Sequence, residues 1–527
     1  MEQLWLELAA RFLVSATMSN NREVKLNNRD SFWLQDRTII ALALSLMALA
    51  EIIDLTIVAV ALPNIMGSLS ANIDEISLTI TSYIVAAAIF IPLTGFVTGK
   101  FGVKRVALVS ALLFGVSSVL CGLATSIPEM VVFRLLQGMG GAFMPSLVQG
   151  YIVDNFQDKE RDKMMTIFSL CIVLGPILGP VMGGAIAENM NWRWIFYVNV
   201  PICLIAFVVI QILMDNTQIK PIKADYISFL FMALGFGCLE YFFDEGNSNN
   251  WFESNTLIIV IVCSALFIIF FIWRGLLGKS VVNFALFKHK NFVLSCIGVW
   301  IFMILLIGEL NFFPTLLQQG YGYTVDMAGY ITAPRGVAAF IAAPIFMKLA
   351  QKIDARFLMS SGVFIFILSG FMLSTYSVDQ NKTLIVITMM VQGAGMMGFF
   401  VNIMQLAYTN LPQELNSDAS GVFNFFRNIG SSIGTSIAST IISHQQQVSW
   451  HDLSGHISQH SAVYQNFTAK LHSASHSVQF AASLVQQQAF FISNLDVFYY
   501  AALGSIGLFF FPFLLDKPAI GGAIRLE

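Results

Sequence analysis

Long apolar segments recur along the whole chain, and most of the polar segments between them are short. A bilayer core about 30 Å thick needs roughly 20 apolar residues per crossing helix. Fourteen segments reach this length, so the pattern predicts an all-α integral membrane protein with fourteen transmembrane helices and one long outer loop, 444–494. The predicted spans are 39–63, 76–98, 106–125, 129–151, 164–186, 195–214, 225–243, 255–273, 292–313, 328–349, 357–376, 384–408, 419–443 and 495–515.

Composition supports a membrane protein and narrows the chemistry. Of the 527 residues, 56% are hydrophobic and 11% are charged, whereas a soluble domain has about 25% charged residues. The six cysteines lie in apolar segments without a CxxC pair, and the chain contains no GxxxxGK[ST] motif. We therefore expect no metal site, no disulfide framework, no ATP-driven step and no enzyme activity. The net charge of −3 gives no excess for binding nucleic acid.

The distribution of Lys and Arg predicts the orientation of the spans. If the N-terminus is cytoplasmic, 22 of the 28 Lys and Arg residues are cytoplasmic, and three lie in outer loops. The remaining three, Arg134, Arg335 and Arg427, lie within spans. We expect a multi-pass protein of the inner membrane with both termini in the cytoplasm. No cleavable signal peptide is expected; Met1–Thr17 is either an amphipathic surface helix or a segment that precedes a start at Met18.

An internal repeat divides the chain into two halves. Pro92, Gln137 and Gly175 recur as Pro344, Gln392 and Gly430, at offsets of 252, 255 and 255 residues. Repeated halves place the substrate site at their interface and support alternating access. The predicted organisation is a cytoplasmic segment 1–38, a six-helix half 39–214, an inserted two-helix linker 215–273, a second six-helix half 274–516 and a cytoplasmic tail 517–527.

Several motifs identify a family. Asp54–Pro63 reads DLTIVAVALP and resembles the first-span signature of the fourteen-span drug:proton antiporters of the major facilitator superfamily. Four further segments resemble motifs of the same family, and the similarity is closest to its EmrB-like multidrug efflux pumps; these segments are 95–105, 134–142, 175–184 and 192–201. Segment 424–430, near the end of the second half, also resembles a motif of this family. One position departs from the family pattern, because Gly99 stands where the loop motif usually has an acidic residue.

The resemblance implies a major facilitator fold and proton-driven export of hydrophobic drugs or toxic compounds by alternating access. The proton gradient would supply the energy without a cofactor. A periplasmic membrane-fusion adaptor and an outer-membrane channel would be the partners, and 444–494 would help to dock the adaptor. A proton-coupled symporter that imports a small nutrient is the alternative; a sensor or scaffold is a further one. The apolar spans favour export, and the absence of a long soluble segment disfavours a sensor.

The predicted coupling pair is Asp54 and Arg134, with Glu51 as a second acidic candidate. Asp54 lies about 22 Å into a span that enters from the cytoplasm, at about 1.5 Å per residue. Arg134 lies five residues into a span that enters from outside, so both lie about 8 Å from the outer face if the spans are neighbours. Burial favours the neutral form of Asp54 and a guanidinium favours the charged form, which allows proton coupling. A fixed structural ion pair is the alternative.

Two motifs supply candidate gate residues. Gly95, Lys100, Gly102, Lys104 and Arg105 would form an inner gate loop that binds the carbonyl ends of neighbouring helices, or the basic residues would serve only as a positive-inside anchor. The resemblance implies that the second motif is a bendable seal on the central cavity; ordinary helix packing is the alternative. The residues of this antiporter motif are Gly175, Pro176, Gly179, Pro180, Gly183 and Gly184.

Secondary candidates are the other charged residues of the spans. Glu240 and Glu309 lie near the outer ends of their predicted spans, where we expect solvated carboxylates. Arg335 and Arg427 are expected to be helix-end or ion-pair residues. Six of the seven histidines lie in 444–494, where a solvated loop is expected and a metal or pH-sensing role is the alternative.

Overall fold

The apolar segments form helices, because backbone groups in lipid must satisfy their hydrogen bonds within the segment. The computed structural model describes residues 32, 35–71, 73–216, 225–409, 411–455 and 474–516, and within these residues it contains helices and no strand. The start-site segment 1–17, most of the linker loop at 217–224, and the C-terminal tail fall outside the described residues.

Seventeen α-helices are assigned in the described residues. The first half contains α1 Asp36–Leu69, α2 Ile73–Phe90, α3 Thr94–Phe101, α4 Val103–Leu123, α5 Ile127–Gly141, α6 Met144–Asn155, α7 Asp158–Asn189, α8 Trp194–Tyr197 and α9 Asn199–Leu213. The linker contains α10 Tyr226–Glu245 and α11 Asn255–Leu276. The second half contains α12 Lys290–Thr315, α13 Val325–Ala350, α14 Ala355–Ser374, α15 Lys382–Ala407, α16 Asn416–Gly455 and α17 Ala474–Phe510.

Thirteen of the fourteen predicted spans are long and apolar enough to cross a membrane, judged over the described residues. The remaining span, 419–443, lies within α16, which is rich in Ser, Asn and Thr. Its polar groups bond to neighbouring helices: Asn424 donates to Gln149 at 2.7 Å, and Trp251 donates to Thr440 at 3.1 Å. These protein partners explain why a helix of low hydropathy packs inside the bundle.

The two halves repeat the same helix packing. In the first half, α1 packs on α7, α2 on α5, α4 on α5, and α9 on both α4 and α1. In the second half, α12 packs on α16, α13 on α15, α14 on α15, and α17 on both α14 and α12. Every pair of the first list has its counterpart in the second, so the sequence repeat is also a structural repeat. The inserted helices α10 and α11 pack on each other, and α10 also packs on α2 and α16, one helix from each half.

The prediction of a solvated loop over 444–494 is wrong for the part that the structure describes. Helix α16 continues to Gly455, and α17 begins at Ala474. The segment is polar, but it has no proline and Gly455 is its one glycine, so nothing before that residue ends the helix. At about 1.5 Å per residue, the 40 residues of α16 span about 60 Å, twice a bilayer core of about 30 Å. His456, His460 and His472 lie outside the described residues.

Candidate functional site

Asp54 and Arg134 form an ion pair in the interior of the first half. Asp54 lies in the middle of α1, and Arg134 lies in α5. Arg134 Nη1 is 2.5 Å from Asp54 Oδ2, and both side chains are fully buried. Arg134 Nε also donates to the carbonyl oxygen of Thr79 at 3.0 Å, and the guanidinium carbon lies 4.4 Å from the Tyr83 ring centroid. The sequence predicted that Asp54 and Arg134 lie at the same depth, and in the structure these two residues form the ion pair.

Two amide side chains complete the surroundings of Asp54. Gln137 Nε2 and Asn199 Nδ2 donate to Asp54 Oδ1 at 3.0 and 2.7 Å. Gln137 also accepts from Arg134 at 2.7 Å and donates to Ser118 at 2.8 Å. Sequence reasoning used Gln137 as a residue of the repeat and of a motif, and Asn199 as a residue of a motif, but it placed neither in the site. The sequence did offer a signal for both: Gln137 lies in the same motif as Arg134, and Asn199 lies in the motif 192–201.

Glu51 lies one turn before Asp54 and is also buried, at 2% exposure. It shares its surroundings with Tyr83, since both side chains pack against Gly141. Arg427 of α16 acts on Glu51 electrostatically, so this acid faces the second half of the protein. The prediction that Arg427 is a helix-end or ion-pair residue is wrong, because it lies three turns inside α16 and has no carboxylate within 4.0 Å among the described residues.

The gate-loop residues lie where α3 ends and α4 begins. Gly102 joins these helices with a φ of 86°, a left-handed conformation that glycine adopts without strain. Lys104 Nζ donates to the carbonyl oxygen of Gln211 near the end of α9, at 2.9 Å. Lys100 lies over the rings of Phe96 and Phe101, and Arg105 is exposed. We call this face of the bundle the basic side.

Gly95 brings the two halves into contact at the basic side. A Cβ atom added to Gly95 would overlap the side chain and Cα of Asp418, in the first turn of α16. Gly99 carries no acid, and the acidic residue that lies against this motif is Asp418, which comes from the other half. Asn283 Nδ2 donates to Asp418 Oδ2 at 3.1 Å. This contact requires a residue without a side chain at position 95.

Further contacts between the halves close the basic side. Asn424 donates to Gln149 Oε1 at 2.7 Å, and Asn416 donates to Asp154 Oδ1 at 2.9 Å, both from α16 to α6. Helix α15 also packs on α7. A cavity of about 670 Å³ adjoins these contacts and is lined in part by Arg37. The halves are therefore joined at the basic side.

Gly175 and Gly179 of the antiporter motif lie on the face of α7 that packs on α1. Cβ atoms at Gly175 and Gly179 would overlap Ile52 and Thr56, so the two helices approach closely on either side of Asp54. Gly183 and Gly184 are also buried, and Pro176 and Pro180 lie inside the continuous helix. Another face of α7 packs on α13 of the second half, where a Cβ atom at Gly329 would lie 3.3 Å from Val181.

The prediction of solvated carboxylates at Glu240 and Glu309 is wrong. Glu240 is 1% exposed and lies near Ser432 of α16, because α10 packs against that helix. Glu309 is fully buried, because the helical backbone continues beyond the predicted end of the span, through Gly320. Its carboxylate accepts a hydrogen bond from Gln392 Nε2.

Arg335 is likewise not the helix-end or ion-pair residue that was predicted. It lies in the middle of α13, is 2% exposed, and forms no ion pair within 4.0 Å among the described residues. Its Nη2 donates to Met389 Sδ at 3.0 Å. Glu240 and Glu309 were expected at solvated span ends, whereas their helices extend further and pack on other helices. Arg335 lies away from either end of its helix.

Comparison with known proteins is consistent with this geometry. A family model described as Major Facilitator Superfamily matches residues 44–435. The chain is 32% identical to the multidrug export protein EmrB of Haemophilus influenzae, over 89% of this chain and 94% of that protein. It is 30% identical to the probable multidrug resistance protein EmrY of Escherichia coli, over 89% and 93% of the two chains.

A solved structure supports the fold. The proton:xylose symporter XylE matches with a TM-score of 0.56 at 15% identity, covering 89% of this chain and 94% of that chain. At this identity the likeness concerns the fold alone.

Proposed function

Because the chain belongs to the major facilitator superfamily, we propose that it exports hydrophobic drugs and other toxic compounds in exchange for protons, by alternating access. The observation that carries this proposal is the fully buried ion pair between Asp54 and Arg134. A charge at bilayer depth is costly and normally marks a transport pathway. The relatives that span most of the chain are named as multidrug export and multidrug resistance proteins, which supports drugs as the cargo.

We infer proton coupling from the competition between Arg134 and a proton for the carboxylate of Asp54. The carboxylate accepts from Arg134, Gln137 and Asn199, and a proton on it would remove the ion pair with Arg134. Arg134 would then hold an uncompensated buried charge, which is unfavourable. Protonation and the conformation of α1 and α5 are therefore linked. The membrane proton gradient would drive the cycle without a cofactor.

The gate residues fit an outward-facing state. With the basic side taken as cytoplasmic, as the Lys and Arg distribution favours, the contacts of Gly95 with Asp418 and of Asn424 with Gln149 close the cytoplasmic entrance. In an inward-facing state α16 would separate from α3 and α6. The Gly175 and Gly179 face would let α1 shift against α7 as the seal of the central cavity. The protein would lie in the inner membrane with both termini cytoplasmic.

Drug-dependent proton release from proteoliposomes tests the proposal. Purified protein is reconstituted with a pH-sensitive dye inside, and ethidium, oleate and a neutral lipophilic compound are added in turn. We expect a drug-dependent proton flux in the wild type and none in Asp54→Asn. The matched control is Asp379→Asn, which makes the same change at an exposed turn. Proton flux that ignores drug, or that persists in Asp54→Asn, would rule out this coupling.

We further propose that the projecting ends of α16 and α17 dock a periplasmic membrane-fusion adaptor, which would connect the pump to an outer-membrane channel. Beyond the predicted span end at residue 443, α16 continues for about 18 Å, and α17 begins about 30 Å before its predicted span at 495–515. Apolar side chains are exposed on these ends, among them Trp450 at 48% and Phe480 at 47%. Exposed apolar patches outside the bilayer are typical of protein interaction sites.

Surface variants on these helical ends test the docking proposal. Trp450→Gln together with Phe480→Gln should lower co-purification of the adaptor, while drug transport in proteoliposomes stays at the wild-type level. Phe252→Gln, at an aromatic residue that is 68% exposed in the turn between α10 and α11, is the control. Unchanged adaptor recovery in the double variant would exclude these residues as the dock.

A further inference from the structure

The two halves carry a buried carboxyl group at the same position of the repeat. Glu309 follows Asp54 by 255 residues, the offset that also relates Gln392 to Gln137. Gln392 Nε2 donates to Glu309 Oε2, just as Gln137 Nε2 donates to Asp54 Oδ1. Helices α12 and α15 thus repeat in the second half the carboxyl–amide contact that α1 and α5 make in the first.

The cation of the second half comes from a different helix. Met389 stands 255 residues after Arg134, and the guanidinium is supplied by Arg335 on α13. Arg335 Nη2 bonds to Met389 Sδ, and Arg335 Nε is buried without a hydrogen-bond partner. The carboxyl and guanidinium groups of this half are neighbours, but they do not form an ion pair within 4.0 Å.

Unsatisfied polar atoms indicate that Glu309 carries a proton in this conformation. Glu309 Oε1 and Gln392 Oε1 are both buried without a hydrogen-bond partner. A buried ionised carboxylate with one donor and no ion pair is strongly unfavourable. A carboxylic acid removes the charge and adds an O–H donor; once the amide is turned over, Gln392 Oε1 accepts this hydrogen bond, which replaces the donation from Nε2.

The surrounding helices bring few other charges to this site. Helix α13 contributes Arg335, which acts on Glu309, and the one charged residue of α15 is Lys382, at its first position. In α16, Arg427 acts on Glu51 of the first half. In α17, Asp496 is partly exposed and has no charged group acting on it. Proton binding at Glu309 is therefore governed by Arg335 and burial.

We propose that Glu309 is a second proton-binding site, which holds its proton against Gln392 while the basic side is closed. When the proton leaves to water, the carboxylate pairs with Arg335, which compensates the charge. The role of this site in transport rests on the proposed function, whereas its existence rests on the geometry of Glu309, Gln392 and Arg335.

Infrared spectroscopy of the purified protein in lipid tests the site independently of transport. Difference spectra between low and high pH should show the C=O band of a protonated carboxyl group in the wild type. Glu309→Gln, which keeps the size and the amide contact, should lack one such component. Glu253→Gln, at an exposed residue, should retain it. A spectrum of Glu309→Gln identical to that of the wild type would overturn the proposal.

The Arg335→Met variant tests the partner cation. Without the guanidinium, loss of the Glu309 proton is no longer compensated, so the carboxyl band should persist to a pH at least about one unit higher, which corresponds to about 1.4 kcal/mol. An unmoved band would exclude Arg335 as the counter-ion. Thermal unfolding of each variant, compared with the wild type, establishes that the protein is folded.

Counting protons per exported drug tests the role in coupling. Glu309→Gln proteoliposomes should exchange fewer protons per ethidium than the wild type, and an unchanged ratio would show that Glu309 keeps its proton during the cycle. If the wild type itself exchanges no protons for drug, the proposed function fails, while the infrared result still decides whether Glu309 binds a proton.

Discussion

The two carboxyl centres, Asp54 in the first half and Glu309 in the second, differ in how completely they are bonded. Asp54 accepts hydrogen bonds from three side chains and forms an ion pair with Arg134. Glu309 accepts one hydrogen bond, from Gln392, and has a free buried oxygen. The helix packing around both is the same, so the difference arises from the side chains: the arginine lies on α5 in the first half and on α13 in the second, and Asn199 of α9 adds a further donor to Asp54.

This difference shows how a repeated scaffold can give two acids different tasks. A buried carboxylate held in an ion pair has its charge compensated, whereas a buried carboxyl group without a paired cation is more stable when it is neutral. In the state that we propose, the first centre therefore holds an ion pair while the second holds a proton. Breaking each centre separately should have unequal effects.

The largest expected effect comes from neutralising Asp54. Asp54→Asn should reduce drug resistance of cells to that of cells with an empty vector, because the proton-binding group is lost, yet the protein should fold and bind drug. Glu309→Gln should retain part of the resistance. For each variant, minimal inhibitory concentrations measure the drug resistance, and ethidium binding shows whether the protein still binds drug. Equal resistance in both would abolish the distinction between the centres.

Removal of the cation should have an intermediate effect and should depend on the centre. Arg134→Ala leaves Asp54 buried and unpaired, a change that costs about 3–5 kcal/mol when a buried pair is broken. Arg134→Lys should do less harm, because the charge remains although the planar contact with Tyr83 is lost. Arg335→Ala breaks no ion pair and should lower the unfolding temperature less than Arg134→Ala. Thermal unfolding in detergent checks this order, and the reverse order would contradict the comparison.

The smallest effect is expected from the two glutamines. Gln137→Leu removes contacts with Asp54, Arg134 and Ser118 and should lower stability by about 1–3 kcal/mol. Gln392→Leu removes one contact with Glu309 and should lower it less. Denaturation curves of the two variants and the wild type give the loss of unfolding free energy for each substitution. A larger loss for Gln392→Leu would mean that Glu309 depends on its amide more than the geometry indicates.

Sequence reasoning was most successful where depth along a span decides the contact. The distances of Asp54 and Arg134 to the membrane faces place them at one depth, since a helix advances about 1.5 Å per residue, and the family resemblance implies that their spans are neighbours. Glu309 was misjudged because depth was counted from a predicted span end at residue 313, while the helical backbone runs on to Gly320. The repeat offset, applied to Asp54, points directly to Glu309.

The partners of these charged residues were beyond the reach of spacing alone. Asn199 reaches Asp54 from a helix 145 residues away in sequence, and Asp418 reaches Gly95 from the other half. Such contacts depend on how helices pack, which hydropathy does not encode. The helical ends at 444–455 and 474–494 were missed for a different reason: polarity ends a membrane span, but a polar segment such as 444–454, which has no Pro or Gly, continues the helix.

Helix α16 has a mechanical consequence for the whole molecule. Its first turn holds the Asp418 contact on the basic side, and its described residues run to Gly455, past the predicted span end at residue 443. A rod about 60 Å long that tilts by about 5° displaces its two ends by about 5 Å relative to each other. A tilt that separates the first turn of α16 from the first half therefore also moves the opposite tip of the same helix, so a protein bound at that tip would sense the stage of the cycle.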